Sequence, residues 1–468
     1  MKAVEAFRRI PKVDKVLATA EVARLVGPYP RVVVVRAVRQ VLDGLRRRLG
    51  AGEGVSEAEL ELGAVAGRVV REVERLGAPS LRRVVNATGV VVHTNLGRSL
   101  LATQALERLV EVAKSYTNLE YDLKAGRRGS RYEHVAGLLS ELGGAEAAMV
   151  VNNNAGAVLL TLNTLARGKE VVVSRGQLVE IGGSFRIPDV MAASGAILKE
   201  VGTTNKTHLY DYERAIGPDT AMLLKVHTSN FAIVGFHEEV PLREMAELAH
   251  SRGLVVMEDL GSGNLVDMTA YGLPPEPTVQ QVLAEGADVV CFSGDKLLGA
   301  PQAGIILGKA KLIERIRKNP MNRALRIDKL TLAGLEATLE LYREPARALE
   351  AVPTLRMITT PYKVLSARAI RLARRLKALG LERLKVSTRR SFSRVGGGAM
   401  PLAELPTRVV QVEVEGMSAT DLEQALRGWR VPVICRLEDR QVLMDVRTMI
   451  PGDGQVVAEA LGAIAGEG

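Results

Sequence analysis

Apolar runs of strand length recur through the middle of the chain, separated by polar turns and by segments of helical character such as 242–250 and 279–285. Seven β-branched runs carry this pattern: AAMVV (147–151), EVVVSR (170–175), AILKEVG (196–202), AMLLKVHTSN (221–230), LVVMEDLGSG (254–263), DVVCFSGDK (288–296) and GIILG (304–308). Nearly continuous apolar strands that alternate with helices predict a mostly parallel sheet covered on both faces. The pattern therefore predicts a large α/β domain.

The amino-terminal segment is predicted to be helical. Helices are expected over residues 14–26 and 31–49, joined by Gly-Pro-Tyr-Pro, with a third helix from about 56 to 77. At 100° per residue the second helix has one apolar face and an opposite basic face. The basic face carries Arg36, Arg39, Arg46 and Arg47. A short strand over 32–35 is the alternative.

The flanking patterns set the predicted boundaries. The polar stretch 116–134 is rich in tyrosine and arginine and is expected to be a site loop, and a long helix is predicted over 321–342. A helix over 363–380 and three strand-like runs near the carboxyl terminus indicate a smaller α+β domain. We predict a helical domain at 1–60, a linker helix at 61–85, the large α/β domain at 86–344 and the small domain at 345–468.

Composition narrows the class of protein. The chain has 468 residues and 2 cysteines, Cys291 and Cys435, which offer neither a disulfide framework nor zinc spacing, so no metal site is expected. No apolar run approaches the ~18 residues of a membrane span, and the start lacks the apolar core of a signal peptide. The expected location is the cytoplasm.

Positive charge is concentrated in two places. The net charge is +10, with 12 Lys/Arg against 4 Asp/Glu over residues 1–50, and 11 against one over 363–394. Such patches indicate a polyanionic partner, with nucleic acid as the leading candidate, although solvated arginine-rich helix faces are the alternative. Aromatic residues make up only 3% of the chain. Contact with the phosphate backbone is therefore favoured over base stacking.

Candidate chemistry follows several of the predicted strands, where open α/β sheets bind ligands. Lys296 follows one strand, Asp259 follows another, and His227, Ser229 and Asn230 follow a third. The stretch 151–160, VNNNAGAVLL, places a polar turn before a helix, whose free N–H groups suit a phosphate. A phosphate site, an acid and a lysine in this order are the parts that hold pyridoxal phosphate, since the lysine forms a Schiff base and the acid keeps the ring nitrogen protonated.

Four motifs then identify a family. HTNLGRSLL, NNNAGAV, EDLGSG and FSGDKLLGAPQAG resemble those of bacterial selenocysteine synthases, the L-seryl-tRNA(Sec) selenium transferases, which are fold-type I pyridoxal phosphate enzymes. The resemblance covers essentially the whole chain. It implies that Lys296 is the catalytic lysine and Asp295 a candidate for orienting it or handling a proton. It also implies these cofactor-binding residues: Asn153, Asn154, Ala155, Gly156, His227, Asp259, Ser293 and Lys296.

The resemblance also implies a reaction. The amine of a tRNA-bound serine displaces Lys296 from its Schiff base, Lys296 takes the α-proton, and β-elimination of water leaves an aminoacrylyl-tRNA, to which selenophosphate adds selenium. Arginines suit an oxyanion donor, and spacing of three predicts one helix face for Arg323 and Arg326. The candidates for selenophosphate are Arg98, Arg131 (or Arg128), Arg323 and Arg326. A homo-oligomer, a decameric ring of dimers with active sites at dimer interfaces, is implied as well.

Two other functions compete with this one. A related pyridoxal phosphate lyase that acts on a small free amino acid or amino-sugar acid would share the lysine motif but would not need the basic amino-terminal domain. A non-catalytic RNA-binding scaffold would not need Asp259, Lys296 and the NNNAG turn together. The residue that stacks on the cofactor ring stays open among Gln177, Glu180 and His227.

Overall fold

The computed structural model describes residues 3–181 and 185–466. The chain forms two compact units, of which the first ends at Arg83 and the second begins at Val84. In the first unit the described helices are α1 (Ala3–Arg9), α2 (Val13–Leu17), α3 (Ala20–Ala23), α4 (Arg31–Gly50), α5 (Glu57–Leu60) and α6 (Leu62–Gly77). Among all described helices, none is both long and apolar enough to cross a membrane.

Helix α4 matches the prediction over 31–49, and the valine run at 32–35 is helical rather than a strand. The predicted helix over 14–26 is instead interrupted between α2 and α3, where the Thr19 hydroxyl donates to the Val16 carbonyl at 2.8 Å. Such side-chain bonds compete with the helical pattern. Helix α6 shares one apolar core with α4, because Val65 and Val69 cluster with Val34 and Val38. The segment predicted as a linker helix, 61–85, is therefore largely part of the first unit.

The second unit contains strands and helices in alternation. Its strands are β1 (Val85–Ala87), β2 (Val90–Val92), β3 (Tyr121–Asp122), β4 (Arg127–Arg128), β5 (Ala147–Val151), β6 (Glu170–Ser174), β7 (Glu180–Ile181), β8 (Phe185–Arg186), β9 (Ile197–Val201), β10 (Thr220–Val226), β11 (Val255–Gly261), β12 (Val289–Ser293), β13 (Gly304–Gly308), β14 (Leu384–Gly396), β15 (Glu404–Val414), β16 (Val433–Glu438) and β17 (Gln441–Asp445). Its helices are α7 (Thr103–Ala113), α8 (Glu133–Gly143), α9 (Asn154–Leu165), α10 (Ile187–Ser194), α11 (Leu209–Ala215), α12 (Leu242–Ser251), α13 (Val279–Ala284), α14 (Ala310–Lys318), α15 (Lys329–Tyr342), α16 (Pro345–Ala351), α17 (Pro353–Thr359), α18 (Tyr362–Lys377), α19 (Ala419–Arg427) and α20 (Asp453–Gly466).

The larger sheet has the order β5-β13-β12-β11-β10-β6-β9. All of its strands run parallel except β13, which is antiparallel to both of its neighbours. Alternate residues of its strands enter two different cores, so that Val150 and Val290 face one layer and Met149 and Val289 face the other. Burial on both faces confirms the predicted, mostly parallel sheet covered by helices, and explains why its strands are apolar throughout.

The smaller sheet has the order β1-β16-β17-β15-β14-β2. Strands β1 and β2 lie between residues 85 and 92, yet they pair with β16 and β14 near the end of the chain. The start of the predicted large domain, residues 86–92, thus belongs to the small sheet. Strand β14 lies outside the predicted strands, because its arginines belong to the basic stretch 363–394 and conceal the strand pattern.

The long helix predicted over 321–342 is wrong in its first part. Residues Pro320–Arg323 form a 3₁₀ turn, and α15 begins only at Lys329, where Asp328 caps it by accepting from the Leu330 and Thr331 amides. Between them Arg326 forms an isolated antiparallel bridge with Val151. Arg323 and Arg326 therefore do not share a helix face.

Candidate active site

A cavity of about 270 Å³ opens at the carboxyl ends of β10, β11 and β12 and at the start of α9. This is the edge at which open α/β sheets bind ligands. The cavity is lined by Arg98, Asn153, Asn154, Ala155, His227, Ser229, Asp259, Gly261, Ser293, Asp295, Lys296 and Gln302. The structure thus brings most of the residues proposed for the cofactor, and both proposed catalytic residues, into one place.

Lys296 lies in the short connection between the antiparallel strands β12 and β13. This connection is closed by a bond from the Gly294 amide to the Ala303 carbonyl (2.9 Å), and the Ser99 hydroxyl donates to the Lys296 carbonyl at 2.6 Å. The side chain is buried, and burial lowers the pKa of its amine, although the charge of Asp259 opposes this effect. A larger fraction of the amine is therefore neutral, and hence nucleophilic, than in an exposed lysine.

The small sheet reaches the same lysine through the turn after β14. Gly398 has a φ of +88°, which L-residues rarely adopt, and a Cβ built on it would lie 2.4 Å from Lys296 Nζ. A side chain at this position would meet both backbone strain and the lysine. The glycine therefore leaves room for the amine at the point where the two sheets meet.

Asp259 lies in β11, next to the start of α9, and only 3% of it is exposed. Asn154 Nδ2 donates to Asp259 Oδ1 at 2.9 Å, while burial raises the pKa of this carboxyl group. Asn153 caps α9 by accepting from the Gly156 amide at 2.8 Å. The Gly156 amide is thus already bonded, whereas the first-turn amides of Asn154 and Ala155 have no partner among the described residues and can bind an anion.

His227 follows β10 and faces Glu276, with Nε2 and Oε1 3.2 Å apart. Burial opposes the charged imidazole, but the hydrogen bond and the charge of Glu276 outweigh this and raise the pKa of His227. Of the ring-stacking candidates, His227 lines the cavity, whereas Gln177 accepts from the Val226 amide and Glu180 pairs with Arg186.

Arg98 enters the cavity from the loop after β2. Its backbone has a φ of +60°, unusual for a residue with a side chain, and its guanidinium donates to Asp295 Oδ2 at 2.8 Å. The partner carboxylate precedes Lys296 directly. Arg98 thus supplies a positive charge beside the lysine, and this charge contributes to lowering the pKa of Lys296.

The polar atoms of the cavity are suited to pyridoxal phosphate. Among the described residues, three buried atoms that line it have no protein partner: Asn154 Oδ1, Ser229 Oγ and Asp295 Oδ1. Buried polar atoms without partners are rare, so these atoms indicate a polar ligand. A buried carboxylate, a buried amine and free helix-start amides match the ring nitrogen, the aldehyde and the phosphate of this cofactor.

Comparison with known proteins agrees with this geometry. The family model "L-seryl-tRNA selenium transferase" matches residues 84–450, and the model "Selenocysteine synthase N terminal" matches residues 7–46. The chain belongs to the L-seryl-tRNA selenium transferase family. The protein of that name from Geobacter sulfurreducens is 54% identical over 98% of this chain and 99% of its own length, and that from Desulfomicrobium baculatum is 55% identical over 98% of each.

One solved structure shares the fold of this chain. "D-Glucosaminate-6-phosphate Ammonia-lyase" aligns with a TM-score of 0.59 and 21% identity, covering 84% of this chain and 97% of its own. At this identity the likeness extends to the fold alone. The fold class predicted from the sequence, a fold-type I pyridoxal phosphate enzyme, is confirmed, and pyridoxal 5′-phosphate is the cofactor of the family member.

Three further arginines converge on the carboxylate of Glu120, which lies outside the cavity. Arg131 Nε lies 2.9 Å and Arg326 Nη1 3.5 Å from Glu120 Oε1, and Arg128 Nη2 lies 3.3 Å from Glu120 Oε2. Arg131 is buried and also donates to the Ile327 carbonyl. Arg323 is exposed and contacts no carboxylate of the described residues. Of the four predicted anion-binding arginines, the structure places only Arg98 beside Lys296.

In the first unit, Arg36, Arg39, Arg46 and Arg47 are all exposed on α4, opposite its buried face. Arg46 pairs with Asp43 at 2.6 Å, whereas the other three have no ion pair with described residues. The predicted separation of an apolar and a basic face is confirmed.

Sequence reasoning missed three residues at the site. Gln302 lines the cavity and lies within the motif that revealed the family, so its position after the lysine was an available signal. Gly398 was marked only by a run of three glycines at 396–398. Glu276 comes from the loop before α13, and no local pattern identified it as the partner of His227.

Proposed function

We propose that this chain converts L-seryl-tRNA(Sec) to L-selenocysteinyl-tRNA(Sec), with pyridoxal 5′-phosphate as cofactor and selenophosphate as selenium donor. One observation carries the proposal: a buried lysine and a buried carboxylate meet at the strand ends of a fold-type I sheet in a member of this family. Relatives of that name match the chain over nearly its whole length.

The roles of the residues follow from their positions. When bound, the cofactor supplies an electron-accepting ring. Lys296 binds its aldehyde and, as a neutral amine, takes the α-proton of the substrate serine. Asp259 would hold the ring nitrogen, with Asn154 keeping its carboxylate in place. The first-turn amides of α9 and Ser293 would bind the phosphate, while His227 would contact the ring.

Arginines would bind the selenium donor. We assign this role to Arg98, Arg131, Arg323 and Arg326, because selenophosphate is an oxyanion and guanidinium groups bind oxyanions in a bidentate manner. The arrangement of charges supports this assignment. Arg98 lies beside Lys296, and the three positive charges of the arginines around Glu120 exceed the single negative charge of that carboxylate. Asp295, held by Arg98, would orient the lysine loop.

The assembly and location remain predictions. The resemblance implies a decameric ring of dimers in the cytoplasm, with active sites at dimer interfaces. The arginines around Glu120 and the exposed Arg323 fit this proposal, because a second subunit could bring such groups to a shared site.

The substrate can be tested with the purified holoenzyme. Mixing it with seryl-tRNA(Sec) is expected to change the visible absorbance of the bound cofactor, whereas free serine and uncharged tRNA(Sec) should leave the spectrum as it is. Adding selenophosphate should then yield selenocysteinyl-tRNA, detected by mass spectrometry after deacylation. A response to free serine or to an amino-sugar acid, with none to seryl-tRNA(Sec), would favour the small-molecule lyase.

We further propose that the first unit binds the tRNA through the basic face of α4. Replacing Arg36, Arg39, Arg46 and Arg47 with glutamine should weaken tRNA(Sec) binding and lower the slope of log Kd against log salt by about 3, since each lost phosphate contact lowers it by ~0.7–0.9. The readout is a fluorescence titration at several salt concentrations.

A matched variant controls for net charge. Glutamine at the following exposed positions of the same unit removes equal charge while keeping the four arginines of the basic face: Lys12, Lys15, Arg24 and Arg31. Equal losses in both variants would mean that the face of α4 is merely a solvated surface.

A further inference from the structure

A second, larger cavity lies in the second unit, against the small sheet. Its volume is about 540 Å³, and it shares no lining residue with the cavity of Lys296. It is formed by α17, α18 and the segment from Val446 to Gly454, which leads into α20. Nothing in the catalytic roles assigned above uses this cavity.

One wall of the cavity is a row of arginines on α18. Arg368, Arg371 and Arg375 are exposed, line the cavity and follow a spacing of three and four residues, which places them on one side of the helix. Within the described ranges, none of the three has an ion pair or a side-chain hydrogen bond. The helix contains 6 Lys/Arg and no Asp/Glu. Arg356 of α17 lines the same opening, and among the described residues its guanidinium donates only to the Glu350 carbonyl, at 3.3 Å.

The floor of the cavity is less polar than this wall. It is largely apolar, with Leu372, Met449, Ile450 and Pro451. The buried Arg447 is also part of the lining, but its guanidinium is fully engaged: Nη1 donates to the Met357 carbonyl at 2.6 Å and Nε to Ser393 Oγ at 2.9 Å. The charge available to a ligand therefore belongs to the arginines of α17 and α18.

Strand β14 and the turn after it contact both a residue of this cavity and the catalytic lysine. Ser393, which accepts from Arg447, lies in β14, and the turn after β14 places Gly398 beside Lys296. The small sheet thus supports the basic cavity on one side and closes on the active site at the end of the same strand. The domain that contacts the catalytic lysine therefore also contains this basic cavity.

We propose that this cavity binds phosphate and ribose groups of the tRNA substrate, as a second RNA contact distinct from the basic face of α4. The inference rests on the proposed function, which makes an RNA the substrate. Unpaired guanidinium groups bind successive phosphates in a bidentate manner, and the apolar floor accommodates the less polar face of a sugar or base. Such contacts add affinity and position the RNA without reading its sequence.

The test uses the full-length holoenzyme with R368Q, R371Q and R375Q combined. Its matched control combines K363Q, R374Q and K377Q, which remove the same charge from exposed positions of α18 that do not line the cavity. We expect the Kd for tRNA(Sec) to rise about tenfold, and the slope of log Kd against log salt to fall by about 2, in the cavity variant but much less in the control.

Steady-state kinetics with seryl-tRNA(Sec) complete the design. The cavity variant should have a raised KM and an unchanged kcat, because its arginines hold the RNA and not the reacting serine. A variant with lysine at all three positions should recover part of the salt slope. Circular dichroism and analytical ultracentrifugation confirm that each variant keeps its fold and its mass.

The outcomes separate this inference from the proposed function. If the wild-type enzyme turns over seryl-tRNA(Sec) and the cavity variant has the same Kd and KM, the inference fails alone. Equal losses in the cavity variant and its control would also overturn it, as would a changed mass, which would make the cavity a contact between subunits. If the wild-type enzyme does not turn over seryl-tRNA(Sec) but binds tRNA through the cavity, the proposed function fails and the inference stands.

Discussion

Replacing Lys296 with alanine is expected to abolish selenium transfer, with turnover reduced by about 10⁴-fold or more, while tRNA(Sec) binding stays close to that of the wild type. The reason is that one buried amine both binds the cofactor aldehyde and takes the α-proton, so that a single substitution removes two functions. The bound cofactor should also lose its visible absorbance. The measurements are turnover with seryl-tRNA(Sec), the absorbance spectrum and a tRNA titration.

Lys311→Ala provides the matched control, since Lys311 is an exposed lysine of α14 on the same unit. It should retain full turnover and the wild-type spectrum. Substantial turnover in the Lys296 variant, with fold and cofactor content intact, would show that another group performs the proton transfer.

Replacing Asp259 with asparagine is expected to lower kcat by about 10² to 10⁴-fold without unfolding the enzyme. Asparagine keeps the size of the side chain and can still accept from Asn154, but it supplies no charge to stabilise a protonated ring nitrogen. Because the charge of Asp259 opposes the lowering of the Lys296 pKa, its loss should lower that pKa further. The first effect is read from kcat, and the second from the pH dependence of the rate at which pyridoxal phosphate recombines with the apoenzyme.

Glu258→Gln is the control for this substitution. Glu258 precedes Asp259 in β11, does not line the cavity, and has its pKa raised by burial to about 7. The folded state thus favours the protonated carboxyl group of Glu258. This preference stabilises the fold at pH values below the pKa that Glu258 has in the unfolded chain, and the stabilisation is lost as the pH rises towards 7. Glutamine should leave kcat unchanged. Equal losses of kcat in both variants would indicate a disturbed strand rather than a lost charge.

The large sheet was predictable because its signal is local. Each apolar run, such as 147–151 or 304–308, is buried on both faces and therefore lacks polar residues over its whole length. Lys296 and Asp259 were found for a related reason, since polar residues directly after such strands stand out. The antiparallel direction of β13 left no comparable mark on the sequence.

What could not be predicted depends on contacts between distant segments. Strand β1 pairs with β16, about 350 residues later, as Val85 does with Val433. Strand β14 is buried on only part of one side, so its exposed arginines concealed it. The spacing of Arg323 and Arg326 suggested a helix, but Asp328 caps the helix after both of them. Local periodicity contains no information about such partners.

The closed connection that carries Lys296 has a consequence for how this segment can vary. Ser293 of β12 pairs with Gly304 of β13, and Tyr342 Oη donates to the Leu298 carbonyl at 2.8 Å, so both ends and the middle of the segment are fixed. One inserted residue adds about 3.8 Å of chain, which must either shift the pairing of the two strands or displace the amine. A substitution within 294–303 changes one side chain and leaves the strand pairing in place, whereas an insertion or deletion cannot. Selection on this enzyme should therefore constrain the length of the segment as strictly as the identity of its lysine.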